Sequence, residues 1–396
     1  MRVLFLQTNP LIMHFQFTEE HLMIQQAARD FAHAELLSGV IQRDEHQKFP
    51  ADAVRKMGEL GFMGMMVSTE FGGSGMDTVS YVLAMEEISK IDASASVAMS
   101  VNNSLVCWGL EEYGSPEQKE KYLKPLAAGT IIGAFCLSEP EAGSDATSQQ
   151  TSAIDMGDHY LLNGTKNWIT NGNSASVYLV IAQTDAAKGH RGINVLIVEK
   201  GMPGFIVGKK EDKMGIRGSD THSLMFTDVK VPKENLIGED GFGFKFAMKT
   251  LSGGRIGIAA QALGIASGAL ELAAKYATQR KSFGKTIGEH QGVAFKLADM
   301  ATKVEAARLL VLKSAWLKDQ DLPYDKESAM AKLYASEVAM EVTTEAVQIH
   351  GGYGFVKEYH VERLMRDAKI TQIYEGTSEI QRIIISRAVL NEAAGI

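Results

Sequence analysis

Residues 253–277 read GGRIGIAAQALGIASGALELAAKYA, and this run sets the architecture of the 396-residue chain. Glycine and alanine recur through it, and such small side chains let neighbouring helices approach closely. After Pro232 the chain contains one further proline, Pro323, so its last roughly 160 residues largely lack the residue that most strongly interrupts a helix. We therefore predict that the run is a helix packed among other helices.

Three more helical runs follow toward the carboxyl terminus. Apolar residues recur at helical spacing in residues 290–318 and again in residues 326–349. A shorter run covers residues 378–392. Together with the glycine- and alanine-rich run, these segments predict a C-terminal four-helix bundle.

Helix signals also dominate the first third of the chain. Thr18 and Asp77 are placed to act as N-caps, because each precedes a run with apolar residues at helical spacing. Ser115 and Gln118, with Pro116 between them, form the pattern of a capping box. These signals predict an N-terminal helical region.

The middle of the chain has a different character. Short segments rich in apolar and β-branched residues are separated by turn signals such as Asn163-Gly164 and Asn171-Gly172. This pattern predicts a small antiparallel barrel or sandwich, and Asn163-Gly164 predicts a hairpin. We therefore predict an α+β multidomain chain with an N-terminal α-helical domain at 13–130, a middle β-barrel at 131–238 and a C-terminal four-helix bundle at 239–396.

Composition excludes several classes of function. A formal net charge of −8 and a pI near 5.8 argue against general nucleic-acid binding, which needs a basic face. The two cysteines, Cys107 and Cys136, cannot build a disulfide framework, which favours a reducing compartment. We see no apolar run approaching the roughly 20 residues that cross a bilayer, so we predict no membrane span.

The first dozen residues, MRVLFLQTNPLI, do not match the patterned sequence that begins at His14. Their apolar run is too short for a signal peptide, and no small-residue cleavage site follows it. We expect Met13 to be the natural start of the protein.

The motifs of several common sites are absent from the sequence. Neither a GxxxxGK[ST] loop nor a GxGxxG after a strand occurs, and the histidines and cysteines form no HxxxH or CxxC pair. We therefore predict no metal site. Any redox cofactor must then be held by a fold other than the Rossmann type.

Two segments of the middle region could contact a flat ligand. Residues 135–145, FCLSEPEAGSD, run from a strand into a loop of small residues whose backbone N–H groups are free; an ordinary capped loop is the alternative. Trp168, close to Thr170, could stack on a flat cofactor while the threonine donates a hydrogen bond. The alternative is a tryptophan buried in the core.

Two further segments lie in the predicted helical bundle. Arg280 and Phe283, with Gln291 downstream, put a cation and an aromatic ring at a helix end, where they could grip a pyrophosphate and an adenine. A basic C-terminal turn is the alternative. Glu375 precedes Gly376 and a helix start in a loop between apolar residues. Such a carboxylate could have the raised pKa that a general base needs, or could be an ordinary partner of a helix N-terminus.

In this order and spacing, the segments resemble those of the acyl-CoA dehydrogenase family. The resemblance covers residues 15–390 and includes MGIRGS at 214–219 and GRIGIA at 254–259. Within the family the chain looks most like the short-chain, butyryl-CoA type. The stretches that carry this preference are residues 99–104, 209–213 and 374–382.

The resemblance implies the same three-domain fold, FAD as cofactor, and a homotetramer built as a dimer of dimers in which a neighbouring subunit completes the FAD site. Glu375 falls on the family's catalytic base. The implied substrate-binding residues are Ser144, Ser252, Arg255 and Gly376. The implied cofactor-binding residues are Phe135, Leu137, Ser138, Gly143, Ser144, Trp168, Ile169, Thr170, Arg280, Phe283, Gln291, Gln348, Gly351, Gly352, Thr377 and Glu379.

The implied reaction is α,β-dehydrogenation of a short-chain acyl-CoA thioester to the trans-2-enoyl-CoA. Glu375 would remove the α-proton while a hydride leaves the β-carbon for flavin N5, and electrons would pass to electron-transfer flavoprotein. The backbone N–H of the base and a ribityl hydroxyl would stabilise the thioester oxygen, as in an oxyanion hole. The implied setting is fatty acid metabolism, including β-oxidation, in the cytoplasm of a bacterium or in the mitochondrial matrix of a eukaryote.

The chain departs from the family pattern at Ser252, where an aspartate often stands three residues before the arginine. Some branched- and long-chain members carry the base on this same helix, where this chain has Gly253 and Gly254. The alternatives are an acyl-CoA oxidase-type flavoenzyme using O2, a branched-chain acyl-CoA dehydrogenase, and a catalytically silent binding protein.

Overall fold

The computed structural model describes residues 16–395, and the expected start at Met13, with the first residues of the predicted N-terminal domain, lies outside them. Within the described residues, a helical region is followed by a β region and then by a second helical region. This order confirms the predicted α+β class.

The N-terminal helices begin at the predicted caps. The side chains of Thr18, Asp77 and Ser115 each accept a hydrogen bond from a backbone N–H three residues later. The helices are α1 (Glu19–Phe31), α2 (Val40–Glu45), α3 (Ala51–Glu59), α4 (Thr78–Ile91), α5 (Ala93–Ser100), α6 (Trp108–Tyr113), α7 (Pro116–Gln118) and α8 (Lys124–Ala127). Three π-helical segments extend or join them, at Ala32–Leu36, Val101–Cys107 and Lys119–Leu123.

A buried asparagine, Asn102 in the π-helical segment Val101–Cys107, connects the helices to the β region. The amide of Asn102 donates to the carbonyl oxygens of Met63 at 2.8 Å and Leu126 at 3.0 Å. Its oxygen accepts from the N–H of Gly133, where the first strand begins, at 2.9 Å. Asn102 is fully buried, so water cannot take its place as the hydrogen-bond partner of these three backbone groups.

The middle region forms one curled seven-stranded sheet. Its strands are β1 (Gly133–Cys136), β2 (Ser152–Asp155), β3 (His159–Thr170), β4 (Val177–Gln183), β5 (Ile193–Glu199), β6 (Phe205–Lys210) and β7 (Thr221–Pro232). Following the hydrogen bonds from strand to strand gives the order β1-β4-β2-β3-β7-β6. The remaining strand, β5, lies outside this path and pairs with β4 along its whole length. β4 pairs in parallel with β1 and β2, so the prediction of a purely antiparallel arrangement was wrong. The long loop after β1 makes this possible, because parallel neighbours need a long connection.

Asn163-Gly164 is not a hairpin turn, contrary to our prediction. β3 runs through both residues, and a register shift against β7 marks a bulge between Leu162 and Gly164. Gly164 has φ of +145°, and an added Cβ would lie 2.6 Å from the Cα of Thr151. The glycine therefore serves a bulge and a close backbone approach rather than a turn.

The C-terminal region contains the four predicted long helices and one short additional helix. They are α9 (Gly243–Gln279), α10 (Gln291–Asp319), α11 (Asp325–His350), α12 (His360–Ala368) and α13 (Ser378–Ala394). A small hairpin of β8 (Lys281–Ser282) and β9 (Lys285–Thr286) joins α9 to α10. The predicted four-helix bundle is therefore present, with α12 inserted before the last helix.

Helix α9 lies at the centre of both helical regions and contacts α4, α5, α10, α11 and α12. Its glycines let α4 lie directly against it. An added Cβ at Gly257 would lie 2.6 Å from the hydroxyl oxygen of Tyr81, and one at Gly264 would lie 2.5 Å from the Cβ of Ser89. A methyl group at Gly264 would require the backbone of α4 to move, and one at Gly257 would require the side chains of Tyr81 and Ser100 to move.

By length and composition α9 could cross a bilayer, which we did not expect from the sequence. However, 83% of the 18-residue stretch of α9 that is apolar enough to span a membrane is buried inside the protein. Its apolar surface is therefore covered by the surrounding helices, as in a core helix.

Replacing Asn102 with Ala tests the tie between the helices and the sheet. The change leaves three buried backbone groups without their partner, and each such group costs about 1–3 kcal/mol. We expect a lower unfolding temperature than for Asn173→Ala, since Asn173 is exposed. Thermal unfolding followed by circular dichroism measures both, and equal temperatures for the two variants would contradict the assignment.

Candidate active site

Glu375 lies in a short turn between the 3-10 helical segment Lys369–Gln372 and α13. Its φ is +52°, and that of Gly376 is +95°. A non-glycine residue in this region costs about 1–3 kcal/mol, so neighbouring contacts must hold it there. Thr377 caps α13 on one side, and on the other the hydroxyl of Tyr374 donates to the side-chain oxygen of Gln261 on α9. The turn is thus anchored at both ends.

The carboxylate of Glu375 packs against α9 at Gly254. An added Cβ at Gly254 would overlap the Glu375 Oε2 atom and would lie 2.7 Å from a methyl group of Leu105. Oε2 is buried and has no hydrogen-bond partner among residues 16–395. Burial raises the pKa of Glu375 to about 7, although Lys332 and Arg255 oppose the shift. A buried, unpaired carboxylate with this pKa can accept a proton near neutral pH.

The predicted substrate residues Ser252 and Arg255 lie within one helical turn of Gly254. Arg255 is 6% exposed, and its Nη1 donates to the hydroxyl oxygen of Ser252 at 3.2 Å. Its Nε–H is buried, and no residue in the described part of the chain accepts a hydrogen bond from it. Burial lowers the pKa of Arg255, whereas Asp325 and Glu375 raise it. Ser252 therefore orients the arginine, and a free donor remains for a ligand.

A buried ion pair holds the loop that follows β1. Lys166 donates to Glu139 at 2.7 Å and to the carbonyl oxygen of Leu137 at 3.0 Å. The two charged side chains are 0% and 2% exposed. Burial lowers the pKa of Lys166 to about 8, and Glu139 opposes the shift. The start of the loop is thus fixed, while Ser144 further along is exposed.

The tryptophan beside this loop is not a core residue. Trp168 is 58% exposed and has φ of +58°, in the left-handed region. Ile169, in contrast, points into the core of the sheet, so its backbone alone is available to a ligand. Thr170 and Phe135 are half-buried, and Ser138 accepts a hydrogen bond from the N–H that precedes Trp168.

A second group of predicted residues surrounds a separate cavity of about 830 Å³. Arg280, Gly351 and Gly352 line it, together with residues that the sequence did not single out. Among the latter, the ring of Tyr276 stacks on His350 with centroids 4.2 Å apart. A cation beside stacked aromatic rings suits a phosphorylated ligand that carries a flat base.

The two groups lie far apart within one chain. Arg255 lies on α9, and Arg280 is the residue that directly follows this helix, 25 residues further along the chain, which corresponds to about 37 Å at 1.5 Å per residue. Thr377 and Glu379 lie beside Glu375, whereas Gln348 lies next to the second cavity. Phe283 is 94% exposed, and Gln291 is also exposed at the start of α10. The predicted site residues therefore form two separate groups within one chain, which we call the two half-sites.

Both half-sites fit the parts of an FAD molecule. Added Cβ atoms at Gly143, Gly351 and Gly352 would meet nothing within 4 Å, so these backbones are open to a ligand. Trp168 offers an exposed aromatic face for a flat ring, and Arg280 offers a cation for a pyrophosphate. Among residues 16–395, no group of three or more histidine, cysteine, aspartate or glutamate side chains is placed to hold a metal ion.

Sequence reasoning missed three residues that shape the site around Glu375. Lys332 on α11 is 0% exposed and hydrogen-bonds the turn, Gln261 anchors Tyr374, and Tyr81 packs on Gly257. One signal was present for Lys332, because it shares the helical spacing of buried Ser328, Ala335 and Ala339. A lysine in such a stripe indicates a buried ammonium group.

Three family descriptions match the chain in succession. "Acyl-CoA dehydrogenase, N-terminal domain" matches residues 18–130, "Acyl-CoA dehydrogenase, middle domain" matches residues 134–229, and "Acyl-CoA dehydrogenase, C-terminal domain" matches residues 241–390. Together they cover most of the described residues.

Several proteins similar to this chain are named as short-chain members. "Acyl-CoA dehydrogenase, short-chain specific" of Clostridium acetobutylicum is 52% identical over 374 residues, which is 94% of this chain and 99% of that protein. Mitochondrial short-chain specific acyl-CoA dehydrogenases of mammals are also relatives, at 50–51% identity.

Solved structures give the same result. Butyryl-CoA dehydrogenase from Megasphaera elsdenii has a TM-score of 0.94 and 50% identity, covering 96% of this chain and all of that one. A chain from a structure described as "Electron transferring flavoprotein of Acidaminococcus fermentans" has a TM-score of 0.94 and 53% identity, with the same coverage.

Replacing Gly254 with Ala tests the contact between α9 and Glu375. We expect a loss of about 1–3 kcal/mol in the free energy of unfolding, because the new methyl group overlaps the carboxylate. Gly253→Ala is the matched control: its methyl group meets nothing closer than 3.9 Å, so it should stabilise the helix by up to about 1 kcal/mol.

A double-mutant cycle identifies the clashing group. In a Glu375→Ala background, most of the cost of Gly254→Ala should disappear, leaving the part due to Leu105. An unchanged cost in that background would show that the carboxylate does not occupy the space beside Gly254.

Proposed function

The chain belongs to the acyl-CoA dehydrogenase family, and from this premise we propose that it catalyses the FAD-dependent α,β-dehydrogenation of a short-chain acyl-CoA thioester to the trans-2-enoyl-CoA. One observation carries the proposal: the carboxylate of Glu375 is buried, its Oε2 has no partner within the described residues, and burial raises its pKa to about 7. The identity to short-chain members over most of the chain supports the substrate class.

Glu375 acts as the general base. Burial makes its carboxylate a stronger base than an exposed one, which suits removal of a weakly acidic proton from the carbon beside a thioester. The proton passes to the carboxylate as the bond between the α-carbon and its hydrogen breaks. The left-handed backbone of Glu375 and Gly376 leaves their N–H groups free of intrahelical bonds, and the N–H of Glu375 is our candidate donor to the thioester oxygen.

FAD, when bound, supplies the acceptor for the hydride that leaves the β-carbon. The residues that would hold its flavin half follow β1 or lie on β3, and those for its adenosine diphosphate half lie around Arg280 and Gly351. The separation of about 37 Å between Arg255 and Arg280 supports a site shared between subunits. Phe283 and Phe355, which are 94% and 87% exposed, support the same conclusion. We therefore propose a homotetramer, organised as a dimer of dimers.

Arg255, Ser252, Ser144 and Gly376 would contact the acyl-CoA. Ser252 stands where the family often has an acidic residue, and here its hydroxyl accepts a hydrogen bond from Arg255. The serine therefore holds the arginine without neutralising it. A cation so held can bind a group of developing negative charge, such as a thioester oxygen or a phosphate.

The packing beyond Glu375 supports a short acyl chain. If CoA is bound on the side of Ser252, the acyl chain points along α9 toward Gly257. There the hydroxyl of Tyr81 bonds to Ser100 at 3.1 Å, and both oxygens lie within 2.7 Å of an added Cβ on Gly257. Tyr81 is fully buried, so the space ends about one helical turn past the base.

Electrons leave through electron-transfer flavoprotein in this proposal. Family membership and the similarity to a chain from a structure described as an electron transferring flavoprotein support that acceptor. The relatives include bacterial and mitochondrial proteins. We place this chain in fatty acid metabolism in the bacterial cytoplasm, or in the mitochondrial matrix if its source is eukaryotic.

Replacing Glu375 with Gln keeps the size of the side chain and removes the proton acceptor. We expect FAD to stay bound and flavin bleaching by butyryl-CoA to slow by a factor of at least about 10²–10⁴. Anaerobic stopped-flow absorbance measures the rate, and Glu392→Gln, an exposed change on α13, is the control. Bleaching at the wild-type rate would remove Glu375 from the mechanism. In a separate aerobic assay of the wild-type protein, peroxide formed in step with the enoyl product would identify the oxidase alternative.

The same variant has a pH-dependent effect on stability. The pKa of folded Glu375 is about 7, above the ordinary value of 4.5, so the ionised carboxylate opposes folding. This opposition is complete above pH of about 7 and disappears as the pH falls toward 4.5. Glu375→Gln should therefore unfold at a higher temperature than the wild type in alkaline buffer, and the difference should shrink on acidification.

Replacing Tyr81 with Ala tests the depth of the acyl site. The cavity should admit longer chains, so the ratio of kcat/KM for octanoyl-CoA to that for butyryl-CoA should rise at least about tenfold. Tyr81→Phe is the matched control, because it keeps the ring and removes the bond to Ser100 alone. A panel of straight-chain acyl-CoAs gives the profiles. An unchanged order of preference in Tyr81→Ala would show that Tyr81 does not limit the chain.

A further inference from the structure

Lys332 is a buried cation that the reaction as described above does not use. It lies on α11 and is 0% exposed. Its neighbours along the buried stripe of the helix are Ser328, Ala335 and Ala339, which carry no charge. Its ammonium group donates one hydrogen bond within the described residues, to the carbonyl oxygen of Gly376 at 2.7 Å.

Such burial is costly and calls for a reason. Removing an ammonium group from water is energetically unfavourable unless opposite charge and hydrogen bonds replace the solvent. A single carbonyl oxygen replaces little of it, and burial accordingly lowers the pKa of Lys332 to about 7. The strongest opposing influence is the charge of Glu375. The carboxylate of Glu375 is therefore the group that most favours the protonated, positively charged form of Lys332.

The acceptor of this bond belongs to the turn that carries the base. Gly376 follows Glu375 directly, and its carbonyl oxygen also accepts from the side chain of Gln381 at 2.8 Å. Gln381 reaches the carbonyl oxygen of Glu375 as well, at 3.2 Å. Two buried donors from different helices thus fix the peptides after the base, where the backbone is in the left-handed region.

We infer that Lys332 is a positioning residue for the base: its hydrogen bond to Gly376 holds the turn so that the Glu375 carboxylate stays against Gly254. The inference rests on the proposed function. It assigns two separable effects to one side chain. The hydrogen bond sets the geometry, and the charge sets the pH range in which the base is ionised.

The other charged and titratable groups around this pair come from four elements. Arg255 on α9 favours the Glu375 carboxylate and repels Lys332, while Glu379 on α13 attracts Lys332. Tyr81 on α4 and Tyr374 in the turn also face Glu375, and burial holds both phenols neutral. Because Arg255 and Glu379 remain in any Lys332 variant, a change in the pH profile reports the lysine alone.

Two substitutions separate geometry from charge. Lys332→Met removes the donor and the charge at nearly constant length, whereas Lys332→Gln keeps an amide donor without the charge. Single-turnover flavin bleaching by butyryl-CoA, measured across pH, gives a maximal rate and a midpoint for each variant. Lys326→Met is the matched control, since Lys326 lies on the same helix at the surface.

We expect both variants to move the midpoint of the rate profile upward by about one pH unit, because a nearby positive charge is lost. Lys332→Met should also lose at least about tenfold in maximal rate, and Lys332→Gln should recover part of that loss. Lys326→Met should match the wild type. Should Lys332→Met fail to bind FAD, the midpoint shift in Lys332→Gln still decides the question.

A midpoint that does not move in either variant would overturn the role of the charge, and equal maximal rates for all variants would overturn the role of the hydrogen bond. These results differ from failure of the proposed function. In that case the wild-type protein itself would not bleach with any acyl-CoA, whatever residue stands at 332.

Discussion

The contact between the Glu375 carboxylate and the glycine face of α9 is the constraint on which the rest of the structure depends. A methyl group at Gly254 would occupy the place of the carboxylate oxygen. Glycine inside a helix costs about 1 kcal/mol relative to alanine, so α9 must gain its stability from packing on every side. The 37-residue helix is accordingly enclosed by α4, α5, α10, α11 and α12. The small residues that make the helix weak by itself are those that bring the surrounding helices, and the base, into contact with it.

The electrostatics of the site follow from the same enclosure. Removing Glu375 from water raises its pKa, and the unpaired Oε2 keeps a position free for a proton. Two buried cations, Arg255 and Lys332, limit that rise. Without them a fully buried carboxyl group would stay protonated at neutral pH and could not act as a base. The fold thus buries one acidic side chain together with two basic ones. Each of the two basic side chains also donates a hydrogen bond that fixes its position, Arg255 to Ser252 and Lys332 to Gly376. With burial and no nearby cation, the carboxyl group of Glu375 would keep its proton. With a cation bonded directly to both oxygens, it would form a salt bridge and have no oxygen free to accept a proton.

Local signals made much of this fold predictable, and non-local ones did not. The caps at Thr18 and Asp77 depend on residues three positions away, so the sequence predicts them well. The prediction for Asn163-Gly164 was wrong because the glycine is required by the close approach of Thr151 across the sheet and not by a turn. Glu375 could be singled out by its loop and by resemblance to a family, whereas the helical spacing of Lys332 indicates that it is buried but does not identify its partner. A lysine on a helix normally faces solvent, and nothing in its own segment shows that it meets the turn after the base. Parallel pairing of β4 with β1 and β2 is likewise a property of the whole sheet.

The pH dependence of flavin reduction in the wild-type protein is the decisive measurement for a base made by burial. With FAD bound and butyryl-CoA in a single turnover, we expect the rate to rise with pH as one group loses its proton, with a midpoint near 7. This is the pKa that the enclosure of Glu375 produces. A midpoint near the ordinary carboxyl value of 4.5 would contradict it, because the base would then be exposed to water. A rate that does not change with pH across the neutral range would contradict it as well, because no base with a pKa near 7 would then take the proton.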